Sequence, residues 1–235
     1  MYRDYVRWRS PSLGRDMEFL WFGKFGRPVL LFPTSAGRYF ENEDFHLASS
    51  LADKVDRGEI QLVLVDTVNN ESWYNKSVHP RVRVARHVQY DAYLRHELVP
   101  YIHNRAQRGD LVVYGASFGA YHAANFTARY PDLVSRAIVF SGVFDIRSQL
   151  DGYWDDDCYF HCPTVYIPNM NAEWAGKLSR VEWVIATGEH DVIVDKTREF
   201  SGLLWSKGIP NHLEIWHGQF GHDWPWWREH LRRFV

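Results

Sequence analysis

The chain has 235 residues and carries 27 Lys and Arg against 29 Asp and Glu, a near-neutral balance that gives no electrostatic case for nucleic acid as a partner. Its apolar runs are strand-sized, far short of the roughly 18 residues a membrane span needs, and the N-terminal MYRDYVRWRS has no apolar signal core. The composition therefore reads as one α/β domain over residues 1–235, cytoplasmic, with no membrane partner and an oligomeric state that the sequence leaves open. Cys158 and Cys162 are too close together to staple a chain of this length. With His161 between them they lack the further ligands a metal site needs, so packing is their reading and no metal is expected.

Tyr2–Arg9 and Glu18–Phe22, joined by the turn-like SPSLGRD, read as an antiparallel lead-in hairpin. Short apolar runs with helical intervals then follow: Val29–Phe32, Leu62–Val65, Leu111–Tyr114, Ala137–Phe140, Val181–Ala186 and Leu213–Trp216. That alternation predicts a mostly parallel sheet covered by helices on both faces. Two long connections break the rhythm. Thr67–Arg86 precedes a helix expected over His87–Ala106, and Gly142–Met170 holds Trp154, three consecutive aspartates and CYFHC. Both follow strands, so both belong at the carboxyl edge of the sheet, where open α/β folds bind ligands.

The stretch LVVYGASFGAYHAANF, residues 111–126, places Ser117 between Gly115 and Gly119. A buried strand precedes it and an Ala-rich helix, Ala120–Tyr130, follows. A hydroxyl on such a turn projects above the sheet, with the amides of the helix start beneath it ready for a developing oxyanion. Serine needs a base to take its proton. Of twelve histidines, His46, His87, His96, His103, His122 and His230 fall in helical patterns, His212 opens a strand, and His79, His161 and His190 lie in loops. His222, in HGQFGHDWPWW after the last strand, stands where the order serine, acid, histidine requires it, with His217 in reserve. For the acid, Asp191 in TGEHD follows a strand; Asp195, Glu189 and, after an earlier strand, Asp145 are alternatives. The amide of Phe118 is one oxyanion donor, and PTSAG after the first parallel strand supplies the other from Ser35 or Thr34. Eleven Trp is a high count. Most fill cores, but Trp73 with Tyr74, Trp154, and Trp224 beside His222 are placed to wall a substrate pocket.

The segments VLLFPTSAGRYFE, YGASFGAYHAANFTARYPDLVSRAIVFSG, TGEHD and GHDWPWWREHL together resemble the "Putative esterase" family of α/β hydrolases, from about residue 15 to the C-terminal end. That family includes esterase D-like enzymes, feruloyl and acetylxylan esterases, and mycolyltransferases. The His-Asp-Trp segment with a second Trp three residues on is more specific than the elbow alone. The resemblance implies an α/β-hydrolase fold and a serine esterase acting through an acyl-enzyme on a small-molecule ester, without cofactor. Ser117 is then the nucleophile, Asp191 the acid and His222 the base. PTSAG departs from the family's usual His-Gly or Asp-Gly loop, which bears on the second oxyanion donor. Acyl transfer to an alcohol other than water, and a non-catalytic binding protein on the same fold, are the rival readings.

Overall fold

The computed structural model describes residues 1–235. Eight strands form one sheet in the order β1-β2-β4-β3-β5-β6-β7-β8. They are β1 (Arg3–Ser10), β2 (Arg15–Phe22), β3 (Arg27–Leu31), β4 (Ile60–Val65), β5 (Val112–Ala116), β6 (Arg136–Phe140), β7 (Glu182–Gly188) and β8 (Asn211–Trp216). β1 pairs antiparallel with β2 and β2 antiparallel with β4, while every pair from β4 to β8 is parallel. This is the expected architecture.

β2 begins three residues before the apolar run that suggested it. Its first residues are polar because they face solvent at the sheet edge, where Arg7 pairs with Asp16 and Tyr5 donates to Glu18 at 2.6 Å across the hairpin. Cross-strand polar pairs stabilise a strand without leaving an apolar signal. In the central strands neighbouring residues part to opposite faces, as a period of two demands. Val63 and Val113 pack with Tyr90, Ala120 and Ala124 on one side, and Leu62, Val112 and Tyr114 with Leu47, Ile138 and Trp227 on the other.

The helix expected over His87–Ala106 starts earlier, at Pro80, and runs as Pro80–Tyr93, a widened turn Leu94–Leu98, and Val99–Ala106. Pro80 sits where a helix needs no N–H, and the His79 ring accepts from the Arg81 amide at 3.2 Å. Pro100 lacks the N–H that would close the preceding turn, a physical reason for the widening. The first long connection therefore ends at His79. It and the helix start are tied to the second: Arg83 of the helix, nearly buried, donates to the Gln149 carbonyl at 2.6 Å and to Asp151 at 2.6 Å, and Lys76 of the connection reaches Asp151 at 3.4 Å. Beneath the joined loops Trp73, Phe118, Tyr121, Cys158 and Cys162 form a small apolar cluster of their own. No helix is long and apolar enough to cross a membrane.

The chain crosses over between β3 and β5. β4 lies on one side of β3 and β5 on the other, so the loops leaving the carboxyl ends of β3 and β5 diverge and open a crevice. Those loops are PTSAG and the Ser117 turn.

Candidate active site

Ser117 has φ 55° and ψ −122°, a conformation a side chain adopts only at a cost of about 1–3 kcal/mol. The surroundings impose it. The Ser117 N–H donates to the Phe140 carbonyl on β6 at 3.0 Å, and its carbonyl accepts from Ala120 at 3.1 Å and Val143 at 3.3 Å. A Cβ on Gly115 would stand 2.0 Å from the Gly119 carbonyl oxygen, and one on Gly119 would stand 2.6 Å from that of Pro33. The two glycines thus let strand, helix and the PTSAG loop close around the turn. The following helix is Phe118–Arg129, two residues earlier at its start than the Ala-rich run suggested.

His222 Nε2 lies 3.2 Å from Ser117 Oγ, and its Nδ1 lies 3.1 and 3.2 Å from the two oxygens of Asp191. Because the carboxylate accepts from Nδ1–H, Nε2 is left as the acceptor facing the serine hydroxyl. The His222 side chain is 35 % exposed and that of Asp191 fully buried. Burial alone would raise the Asp191 pKa, but bonds from His222, Thr187 and the Ile193 amide outweigh it and hold the carboxyl below its ordinary value. Thr187 Oγ1 donates to Asp191 at 2.7 Å and the Ile193 N–H at 3.1 Å.

The loops bearing Asp191 and His222 meet backbone to backbone. A Cβ on Gly221, whose φ is 76°, would stand 2.1 Å from the Gly188 nitrogen. Ser141, directly after β6, donates to the Gly221 carbonyl at 2.8 Å and accepts from Trp227 Nε1 at 3.2 Å; the Trp227 ring meets the His222 ring edge-on, 5.5 Å between centroids. Ser141 and Thr187 were not singled out in the sequence, and Trp227 entered only as the second Trp of the His-Asp-Trp segment. Their signal is positional only: each lies within four residues of a strand end or of a singled-out residue.

The alternatives are engaged elsewhere. Asp145 is chelated by Arg147 at 2.5–3.0 Å, and Asp195 pairs with Arg198 at 3.2 Å. Glu189 accepts from the Gly218 amide at 2.9 Å and lies 3.6 Å from His217, which is 87 % exposed. None of these bonds to His222 or Ser117.

In PTSAG the Thr34 amide donates to Glu41 at 2.6 Å and its hydroxyl to the same carboxylate at 2.8 Å, so Thr34 is committed. Ser35 presents its carbonyl to Asn69 Nδ2 at 3.0 Å, while its own N–H has no partner. The Phe118 N–H, first in its helix, is likewise free.

The aromatic expectations divide. Tyr74 is half-buried, its ring 5.0 Å from that of Phe118. Trp73 is corrected: it is 0 % exposed, packed on His87 and Tyr121, and offers a substrate no surface. The loop that carries it folds inward at that residue, burying the larger ring and leaving the next to face the site. Trp154 is 41 % exposed, with no ring stacked on it and no bond to the serine or histidine. Trp224 stacks flat on Phe45 at 4.7 Å and meets Trp227 edge-on, which ties the C-terminal helix, Trp224–Phe234, to the residues after PTSAG. A cleft of about 590 Å³ adjoins the turn through Val143 and is lined further by Asp145, Arg147, Lys196 and Glu199.

A serine, histidine and buried aspartate in one hydrogen-bonded line, on a strand–turn–helix at the switch point of a mostly parallel sheet, define an α/β hydrolase. The chain belongs to the family described as "Putative esterase", whose profile matches residues 10–234, and by class it is a carboxylic ester hydrolase of the serine type. Among solved structures it is similar to a ferulic acid esterase, at 19 % identity, TM-score 0.78, over 99 % of this chain and 95 % of that one. It is also similar to the fluorophosphonate-binding serine hydrolase FphF of Staphylococcus aureus, at 16 % identity, TM-score 0.75, over 99 % and 96 %. A third is MPT51 (FbpC1) of Mycobacterium tuberculosis, at 19 % identity, TM-score 0.73, over 100 % and 96 %. No curated protein sequence matches the chain.

Proposed function

We propose that the chain, as one catalytic domain, hydrolyses small carboxylic esters through an acyl-enzyme on Ser117. The observation that carries this reading is the line from buried Asp191 through His222 to a serine held at positive φ above a helix start. His222 Nε2 takes the hydroxyl proton as Ser117 Oγ attacks the ester carbonyl, and Asp191 holds the ring in the productive tautomer and stabilises the imidazolium. The oxyanion falls to the free amides of Phe118 and Ser35. His222 then gives its proton to the departing alcohol, and the acyl-enzyme remains. Water, deprotonated by the same nitrogen, attacks it and releases the acid. The half-exposed Tyr74 ring, 5.0 Å from the buried ring of Phe118 next to the serine, presents aromatic surface that suits an aryl acyl group; the likeness to a ferulic acid esterase points the same way.

The test is covalent labelling with a fluorophosphonate, alongside p-nitrophenyl acetate and an aryl ester such as methyl ferulate. Wild type should be labelled and active. Ser117→Ala should be unlabelled and slower by far more than about a hundredfold, since a triad serine supports most of the rate. Labelling or activity that survives the substitution would refute the nucleophile. Running the aryl ester with added alcohol and identifying products separates hydrolysis from acyl transfer.

A further inference from the structure

Asn69 and His122 are both buried and lie outside the serine–histidine–aspartate line. Asn69 Nδ2 donates to the Ser35 carbonyl at 3.0 Å, so its Oδ1 is the atom that faces His122, and His122 Nε2 sits 2.8 Å from it. The geometry thereby assigns the proton of His122 to Nε2 as a donor. His122 belongs to the helix that opens with Phe118, and Ser35 to the loop after β3. These are the two segments whose free amides serve the oxyanion in the reading above, on which this inference rests.

The His122 ring has little freedom. Phe32, three residues before Ser35, stacks on it at 5.7 Å between centroids, and Phe118 meets it edge-on at 5.4 Å. The loop is held at two further points. Glu41 takes the Thr34 amide at 2.6 Å, and the Gly37 amide donates to the Thr34 carbonyl at 3.3 Å. The Thr34 amide is thus occupied, while the Ser35 N–H beside it has no partner within the protein.

We propose that Asn69 and His122 form a strut that fixes the Ser35 peptide relative to the Phe118 amide, making both residues positioning residues for the oxyanion site. A donor displaced by a fraction of an ångström stabilises the transition state less while binding the ground-state ester almost unchanged. Loss of the strut therefore appears in kcat and leaves KM alone.

The experiment measures kcat and KM for p-nitrophenyl acetate, the rate of fluorophosphonate labelling and the melting temperature. The proteins are wild type, Asn69→Ala, His122→Phe, His122→Gln and the Asn69→Ala/His122→Phe double variant, with Ser117→Ala as control. Each broken link should lower kcat and labelling rate at least tenfold, with KM within about twofold. His122→Gln, which keeps a donor at similar reach, should recover most of the loss. The double variant should be no slower than the worse single, because both break one strut. Should His122→Phe not fold, Asn69→Ala breaks the same link by itself. Folded variants with kcat within threefold of wild type, or losses that multiply in the double, overturn the strut while Ser117 dependence stands. If Ser117→Ala keeps the activity, the nucleophile assignment fails and the strut with it.

Discussion

Three histidines, His87, His122 and His161, lie together in the interior behind the Ser117 turn. The ring of His87 is 4.6 Å from that of His161 and 5.6 Å from that of His122. Burial pushes all three pKa values down, those of His87 and His161 well below the ordinary value and that of His122 to about 3, with their mutual repulsion adding to the effect at His87 and His161. In the unfolded chain each would take a proton near pH 6.5. The unfolded state therefore binds more protons than the folded state below that pH, and stability falls as pH falls. Between pH 7.5 and 5.0 linkage gives about 2 kcal/mol per histidine and about 6 kcal/mol for the three. That is a large part of the 5–15 kcal/mol by which a domain is usually stable. Glu41, Asp66 and Asp91, whose pKa values burial raises, act in the opposite sense at the acid end, so the histidine share is isolated by comparing variants. Urea unfolding followed by Trp fluorescence at pH 7.5 and 5.0 should show wild type losing about 2 kcal/mol more than His161→Gln. Equal losses in the two proteins would mean that these rings take up protons in the folded state, and the argument from burial would fail.

The remaining expectations concern the turn, the acid and the Trp assignments. Gly119→Ala forces a methyl against the Pro33 carbonyl and should cost about 1–3 kcal/mol of stability by chemical denaturation, while Gly202→Ala, in open space on a helix, should cost nothing. Thr187→Val removes a hydrogen-bond donor from Asp191 at nearly constant volume; it should lower kcat with little change in KM, and an unchanged kcat would show that the bond to Thr187 is dispensable. Trp73→Ala should destabilise the protein by about 3–5 kcal/mol and leave the rate ratio of aryl to acetyl ester within twofold. Tyr74→Ala should do the reverse, changing that ratio at modest cost in melting temperature.

Much of this protein is written locally. β-strands with helical intervals, a serine between two glycines at a strand-to-helix switch, an aspartate in the turn after one strand and a histidine after the last are patterns a short window carries, because strand period, turn chemistry and helix starts are set by neighbours in sequence. The same window could not say which way an aromatic faces. Trp73 and Tyr74 are adjacent and both aromatic, yet one is sealed in the core and the other stays half-exposed against Phe118, a difference decided by how the loop docks on His87 and Tyr121. Nor could it separate Thr34 from Ser35, since the carboxylate that occupies the Thr34 amide belongs to a short helix beyond the loop. Partners distant in sequence account for much of the rest: Ser141 with the Gly221 carbonyl and Trp227, and Asn69 with His122 behind Ser35, lie on segments that approach only when the sheet is assembled. Hydrogen bonds between such segments leave no periodicity in the sequence, because each partner need only be a polar residue at one position. The residues that line up at the site were therefore legible before the fold, and the framework that aligns them exists only in three dimensions.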